Sequence, residues 1–70
     1  MTTRLQDHDI LVRRLRDGGW EICQRHGRDD QVIDGPFLER TAAAIRARTL
    51  AQRAQSNAFL EEESDALQLL

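Results

Sequence analysis

Apolar residues near the start of the chain recur at the spacing of an amphipathic helix. One stripe at i, i+3, i+4 and i+7 steps contains Leu5, His8, Leu11, Val12 and Leu15. Gly18 and Gly19 follow, and a glycine just past the last turn commonly closes a helix. The pattern predicts a first helix over residues 3–17, with Ile10 facing away from the stripe.

From Trp20 the pattern changes to alternation, which is typical of a strand. Trp20, Ile22 and Gln24 alternate with residues 21, 23 and 25, and a second strand-forming run spans residues 31–33. The polar residues 26–30 between the two runs include Gly27, which favours a turn. We predict a β-hairpin over residues 20–33; the alternative is a short helix over residues 20–26.

A second helix is predicted over residues 36–55. Asp34 is placed to cap it, Pro36 fits its first turn, and Glu39 lies near its positive end. One predicted face, which would cover the hairpin, contains Phe37, Leu38, Thr41, Ala42 and Ile45. The other, left free for association, contains Ala43, Ala47, Leu50, Ala51, Ala54 and Ala58.

Ser56 and Asn57 predict a break, after which apolar residues recur at helical spacing opposite the acidic run of residues 61–65. We therefore expect residues 1–55 to form a helix-hairpin-helix domain and residues 56–70 an acidic amphipathic C-terminal segment. The predicted fold class is α+β and mainly helical, with an all-α fold as the alternative.

Length and charge add two constraints. A chain of 70 residues buries only about 60% of its unfolded surface, so a partner chain or a homodimer would help to stabilise it. Ten arginines and eight acids in residues 1–55 make that part mildly basic, whereas residues 56–70 carry four acids and no base. No apolar run is long enough to span a bilayer and a single Cys excludes an internal disulfide, so a cytoplasmic protein is expected.

The residues able to bind metal or move protons do not form a recognisable set. Cys23 and His26 supply half of a zinc site at most, and residues three apart on a strand point to opposite faces. We interpret Cys23 as a buried structural thiol and His8 as an interior histidine. The adjacent Asp29 and Asp30 are interpreted as solvated turn residues. Catalytic residues, cofactors and a metal site are therefore not expected.

A nucleic-acid surface is the competing hypothesis. Arg46 and Arg53 share a helix face, and Arg25 and Arg28 lie at the hairpin turn. Four phosphate contacts would support weak, salt-sensitive binding, but aromatic residues for base stacking are not interleaved with them.

Part of the chain resembles a known family. The residues that carry the resemblance are Leu15, Gly19, Trp20 and Gly27, with six residues between the last two. They resemble the helix-strand-turn opening of HicA toxins, small ribonucleases with a fold like that of double-stranded-RNA-binding domains. That family has Ser-His after the turn glycine, where this chain has Arg28 and Asp29, so the resemblance implies a degenerate relative unable to cut RNA. The overall layout is also similar to the lambda W type of phage head-to-tail joining protein.

The leading functional hypothesis is a small non-enzymatic interaction protein, of the kind that phages and accessory elements encode. It would bind a protein partner and inhibit or bridge it. The candidate partner-binding residues are Trp20, Arg25, Arg28, Leu50, Phe59, Leu67 and Leu70.

Overall fold

The computed structural model describes residues 5–61 and 67–70. In chain order they form β1 (Ile10–Arg14), β2 (Trp20–His26), β3 (Asp29–Phe37), α1 (Arg40–Arg53), β4 (Ala58–Glu61) and β5 (Leu67–Leu69). The strands make one sheet in the order β3-β2-β1-β4-β5. β1 and β4 are parallel, and the other neighbours are antiparallel. Strands account for 46% and helix for 23% of the structure, so the fold is α+β, and the mainly helical and all-α predictions are wrong.

The first predicted helix is wrong because its centre is the middle strand of the sheet. Ile10, Leu11 and Val12 are consecutive and all buried, whereas a helix would have placed Ile10 outside. β1 lies between β2 and β4, so both of its edges are paired, and a short continuous apolar run is consistent with a buried central strand. His8 is exposed, with a φ of 72°, and is not an interior histidine.

Gly18 and Gly19 belong to a turn between two strands. The amide of Gly18 donates to the Leu15 carbonyl at 3.1 Å, and the amide of Leu15 donates to the Gly19 carbonyl at 2.7 Å. Gly18 has a φ of +97°, and a turn followed by a glycine of positive φ commonly connects hairpin strands. The residues predicted to end a helix therefore reverse the chain from β1 into β2.

The predicted hairpin is present, but its second strand is longer. β2 and β3 are joined by a two-residue turn, Gly27 and Arg28, with the positive φ at the glycine. β3 then continues through Gly35 and Pro36 to Phe37, with two register irregularities against β2. A Cβ at Gly35 would lie 3.1 Å from the Trp20 carbonyl oxygen, so β3 passes close to β2 only because this side chain is absent.

Asp34 and Pro36 do not start the helix. α1 begins at Arg40, with Glu39 at the N-cap position and no side-chain capping bond. The Asp34 carboxylate instead accepts hydrogen bonds from its neighbour Gly35 N at 2.8 Å and from Arg46 Nε at 2.9 Å. The predicted capping residue therefore ties β3 to the side of α1.

The two faces of the helix are reversed relative to the prediction. The Ala-rich face is the buried one, with Ala43, Ala47 and Ala51 packed over the sheet. Leu38 and Ile45, predicted to cover the hairpin, are 94% and 59% exposed. Small side chains let α1 lie close to the sheet, whose larger residues fill the core. No helix in the described part of the chain is long and apolar enough to cross a membrane.

The break predicted at Ser56 and Asn57 lies just past the end of α1. Gln55 has a φ of +54°, and the Ser56 amide donates to the Ala51 carbonyl at 2.9 Å, as in a Schellman motif. The residues that follow are not helical: β4 pairs with β1, and β5 pairs with β4. The helical spacing of apolar residues in the C-terminal segment therefore does not correspond to a helix over 58–61 and 67–69, and residues 62–65 of the acidic run lie outside the described residues.

Candidate functional site

The sheet has one face covered by α1 and one face that no described helix covers. We call the second the helix-free face. Side chains on alternate residues point to the same face, and directly paired residues of neighbouring strands share it. With the observed register, the helix-free face carries Leu11, Arg13, Glu21, Cys23, Arg25, Asp30, Val32, Phe59, Glu61, Leu67 and Leu69.

The centre of the helix-free face is apolar. Leu11, Cys23 and Phe59 form a cluster of buried residues, and the half-buried Leu5 and Leu67 pack against it. On the two edge strands the apolar side chains are open to solvent: Val32 on β3 is 53% exposed and Leu69 on β5 is 62% exposed. The face therefore combines a buried apolar centre with exposed apolar residues on its two edge strands.

Arg13 joins four strands through ion pairs beside this cluster. Its guanidinium nitrogens lie 3.6 Å from Glu21 Oε1 on β2, 3.2 Å from Asp30 Oδ2 on β3 and 3.6 Å from Glu61 Oε2 on β4. The side chains of these four residues are 18–37% exposed, so solvent screens their attraction only in part. The arrangement orients three carboxylates around one cation.

Asp30 also binds a second arginine. Arg25 Nε donates to Asp30 Oδ1 at 2.7 Å, so two guanidinium groups and three carboxylates share this part of the face, with one negative charge in excess. A cavity of about 230 Å³ opens between the charged and apolar groups. Its lining residues are Leu5, Leu11, Arg13, Arg25, Asp30, Glu61 and Leu67.

Cys23 is a buried free thiol in the apolar centre of the helix-free face. It has no exposed surface, and burial raises the pKa of its thiol above the ordinary value. The Sγ atom lies 3.9 Å from Glu21 Oε1, to which it donates. A thiol with a raised pKa is a poor nucleophile. The prediction that Cys23 is buried is confirmed.

The two histidines meet at the hairpin end of the sheet rather than beside Cys23. The His8 and His26 ring centroids are 5.9 Å apart, edge to face, and Asp7 Oδ2 lies 3.5 Å from His8 Nε2. A hydrogen bond from the Gly27 amide to the Asp7 carboxylate lowers the pKa of that carboxyl. Within residues 5–61 and 67–70, no group of three or more His, Cys, Asp and Glu side chains could hold a metal ion.

The structure separates the candidate partner-binding residues. Phe59 is buried in the centre of the helix-free face, and Leu67 is half-buried against it. Trp20, Leu50 and Leu70 pack against the core on the opposite, helix-covered side. These five side chains therefore contribute to the fold itself.

The two candidate arginines also differ in their surroundings. Arg25 pairs with Asp30 on the helix-free face, whereas Arg28 is exposed in the hairpin turn. Among the arginines proposed for nucleic acid, Arg46 pairs with Asp34. Asp29 and Asp30 are likewise unequal, since Asp29 is exposed and Asp30 is half-buried.

Sequence reasoning missed the central role of Arg13. The helical spacing predicts Leu11 and Arg13 on a helix, yet residues 10–12 also form a short continuous apolar run, which fits a buried strand. Glu61 and Asp30 were assigned to an acidic tail and to a turn. Their proximity depends on pairing between strands that are far apart in the chain.

Comparison of the chain with protein-family models, curated proteins and solved structures finds no match. The resemblance to HicA toxins stays a hypothesis from sequence. The helix that this layout requires before Gly19 is not present among residues 5–18, where Ile10–Arg14 form a strand.

Proposed function

We propose that this protein is a small non-enzymatic interaction module that binds a protein partner through the helix-free face and blocks or bridges that partner. The observation that carries the proposal is the composition of this face. The exposed apolar residues Leu69 and Val32 and partly exposed ion pairs lie around a centre, Leu11, Cys23 and Phe59, that is buried within the fold. Exposed apolar side chains beside arginine and other polar groups are typical of protein interfaces.

Nucleic-acid binding through the arginines receives less support. Two of the four proposed phosphate-binding residues, Arg25 and Arg46, are engaged by Asp30 and Asp34 at 2.7 and 2.9 Å. A phosphate would have to displace these carboxylates or share the guanidinium groups with them. Either case reduces the favourable electrostatic contribution to nucleic-acid binding. A cytoplasmic location is part of the proposal, since the buried Cys23 is a free thiol.

The proposal is tested with matched surface variants. Leu69→Asp with Val32→Asp places two charges on the helix-free face, at positions 62% and 53% exposed. The control, Leu38→Asp with Ile45→Asp, makes the same chemical change off that face, at positions 94% and 59% exposed. Circular dichroism should show both variants folded, because charges at exposed positions away from the core change stability little.

The readout is crosslinked affinity capture from cells of the source organism, with light scattering of the recovered complexes. We expect one protein partner to be retained by the wild type and by the control, and lost from the helix-free-face variant. Equal retention by all three proteins would contradict the proposal. So would recovery of nucleic acid in place of a protein, released between about 50 and 200 mM salt.

A further inference from the structure

We propose that the outer edge of β3, from Asp29 to Val32, binds an extended basic segment of a protein partner as an additional strand of the sheet. This inference rests on the proposed function and specifies the chemistry of the partner. β3 is the terminal strand in the order β3-β2-β1-β4-β5, so its outer edge has no strand neighbour in the described structure. An unpaired edge offers a row of backbone donors and acceptors to an incoming strand.

The backbone groups that point outward can be assigned from the turn. A two-residue hairpin turn makes His26 and Asp29 a hydrogen-bonded pair, and the pairs then alternate along the ladder. The Arg25 amide donates to the Asp9 carbonyl and the Arg25 carbonyl accepts from the His8 amide, on the side away from β3. Asp30, which is paired with Arg25, therefore turns its own amide and carbonyl to the open edge, and Val32 does the same.

The other end of β3 is protected against strand addition. Ile33 is the extra residue where the register against β2 shifts, and Pro36 lacks an amide hydrogen. Bulges and prolines are the usual devices that block edge pairing. Only the stretch from Asp29 to Val32 remains free of them, and there Val32 is 53% exposed.

Charge determines which strand this edge accepts. β3 carries Asp29, Asp30 and Asp34 and no basic residue. A second copy of β3 would bring only acidic charges, those of its own Asp29, Asp30 and Asp34, to this edge, and like charges on adjacent strands are destabilising. A segment with an apolar residue opposite Val32 and arginines opposite Asp29 and Asp30 instead brings positive charge to the exposed Asp29 and to the ion-pair network of Asp30, which carries one negative charge in excess.

The probe is a fluorescein-labelled peptide, Thr-Thr-Val-Thr-Arg-Arg-Thr, titrated with the full chain by fluorescence anisotropy. We expect binding about tenfold tighter than that of the same peptide with both arginines replaced by glutamate. N-methylation of its valine and first arginine, whose amides would face β3, should weaken binding about tenfold. N-methylation of the intervening threonine and the second arginine, whose amides would face away, should leave binding unchanged. Equal effects of the two methylation patterns would overturn the inference.

A charge exchange tests the same edge from the protein side. Asp29→Arg should weaken binding of the arginine peptide and strengthen binding of the glutamate peptide, whereas Asp17→Arg, at an exposed position in the β1–β2 turn, should do neither. Identical behaviour of the two variants would overturn the inference. If no peptide binds while the helix-free-face variant still loses its captured partner, the edge inference falls and the proposed function stands.

Discussion

Asp34 is the residue whose observed role differs most from the role predicted from the sequence. Its position before Gly35 and Pro36 matched a helix cap, yet its carboxylate accepts from Arg46 Nε, twelve residues along the chain, and from the adjacent Gly35 amide. These bonds, that from Arg46 first, lower the pKa of the Asp34 carboxyl below its ordinary value. The ionised form of Asp34 is therefore favoured by the folded state.

Asp34→Asn should lower the stability of the protein at neutral pH and have little effect in acid. A carboxyl with a lowered folded-state pKa contributes stability above its unfolded-state pKa and loses it as the pH falls through the folded-state value. We expect the variant to unfold at a lower urea concentration than the wild type at pH 7. The difference should shrink as the pH falls below about 4, the ordinary range of aspartate.

Asp17→Asn, at an exposed position, provides the matched control for this comparison. A difference for Asp34→Asn that stayed constant down to pH 3 would show that ionisation of Asp34 is not its cause.

Among the elements, α1 is the one for which side-chain size predicted the wrong buried face. The larger apolar residues Leu38 and Ile45 indicated the core side, but the alanines cover the sheet. Helix propensity explains alanine anywhere on a helix, so an alanine stripe does not distinguish a buried face from an exposed one. Only the volume already filled by the sheet residues decides which stripe fits.

Ala47→Leu should destabilise the protein by about 1–3 kcal/mol, the usual cost of inserting a larger side chain into a packed core. Ala47 has no exposed surface and lies between α1 and the sheet. Ala42→Leu makes the same change at an exposed position of α1 and should be nearly neutral. Urea unfolding at pH 7 measures both variants, and an equal loss in the two would contradict this packing of α1.

In the molecule as a whole, strand position should determine local stability. β1 has a strand on each side, whereas β3 and β5 are the two edges of the sheet. Local opening requires the least disruption at edges and the most at the centre. The edges are also where the proposed interactions lie.

Amide hydrogen exchange should therefore be slowest in β1 and fastest in β5. Within β3 we expect the amides of Asp30 and Val32, which face outward, to exchange faster than that of Gln31, which is in a hydrogen-bonded pair with Gln24. Nuclear magnetic resonance at pH 6 resolves the three residues separately. Similar protection of all three would place the open edge elsewhere, and addition of the basic peptide should slow Asp30 and Val32 selectively.

Features of the fold that depend on a few adjacent residues can be predicted from the sequence. The β2–β3 hairpin follows from alternation around Gly27, and the end of α1 lies just before the break expected at Ser56. The burial of Cys23 follows from its place in an apolar strand. Each of these features depends on backbone conformation within a single turn or strand.

The sequence by itself determined the β2–β3 hairpin and one long helix. Tertiary structure alone decided that residues 10–14 and 58–61 are neighbouring strands, because their parallel pairing joins segments separated by α1. The same pairing creates the helix-free face and brings Glu61 to Arg13. Leu-rich, charge-flanked segments satisfy helix and strand periodicity almost equally, and hydrogen bonding to a distant strand, which no local pattern encodes, selects between them.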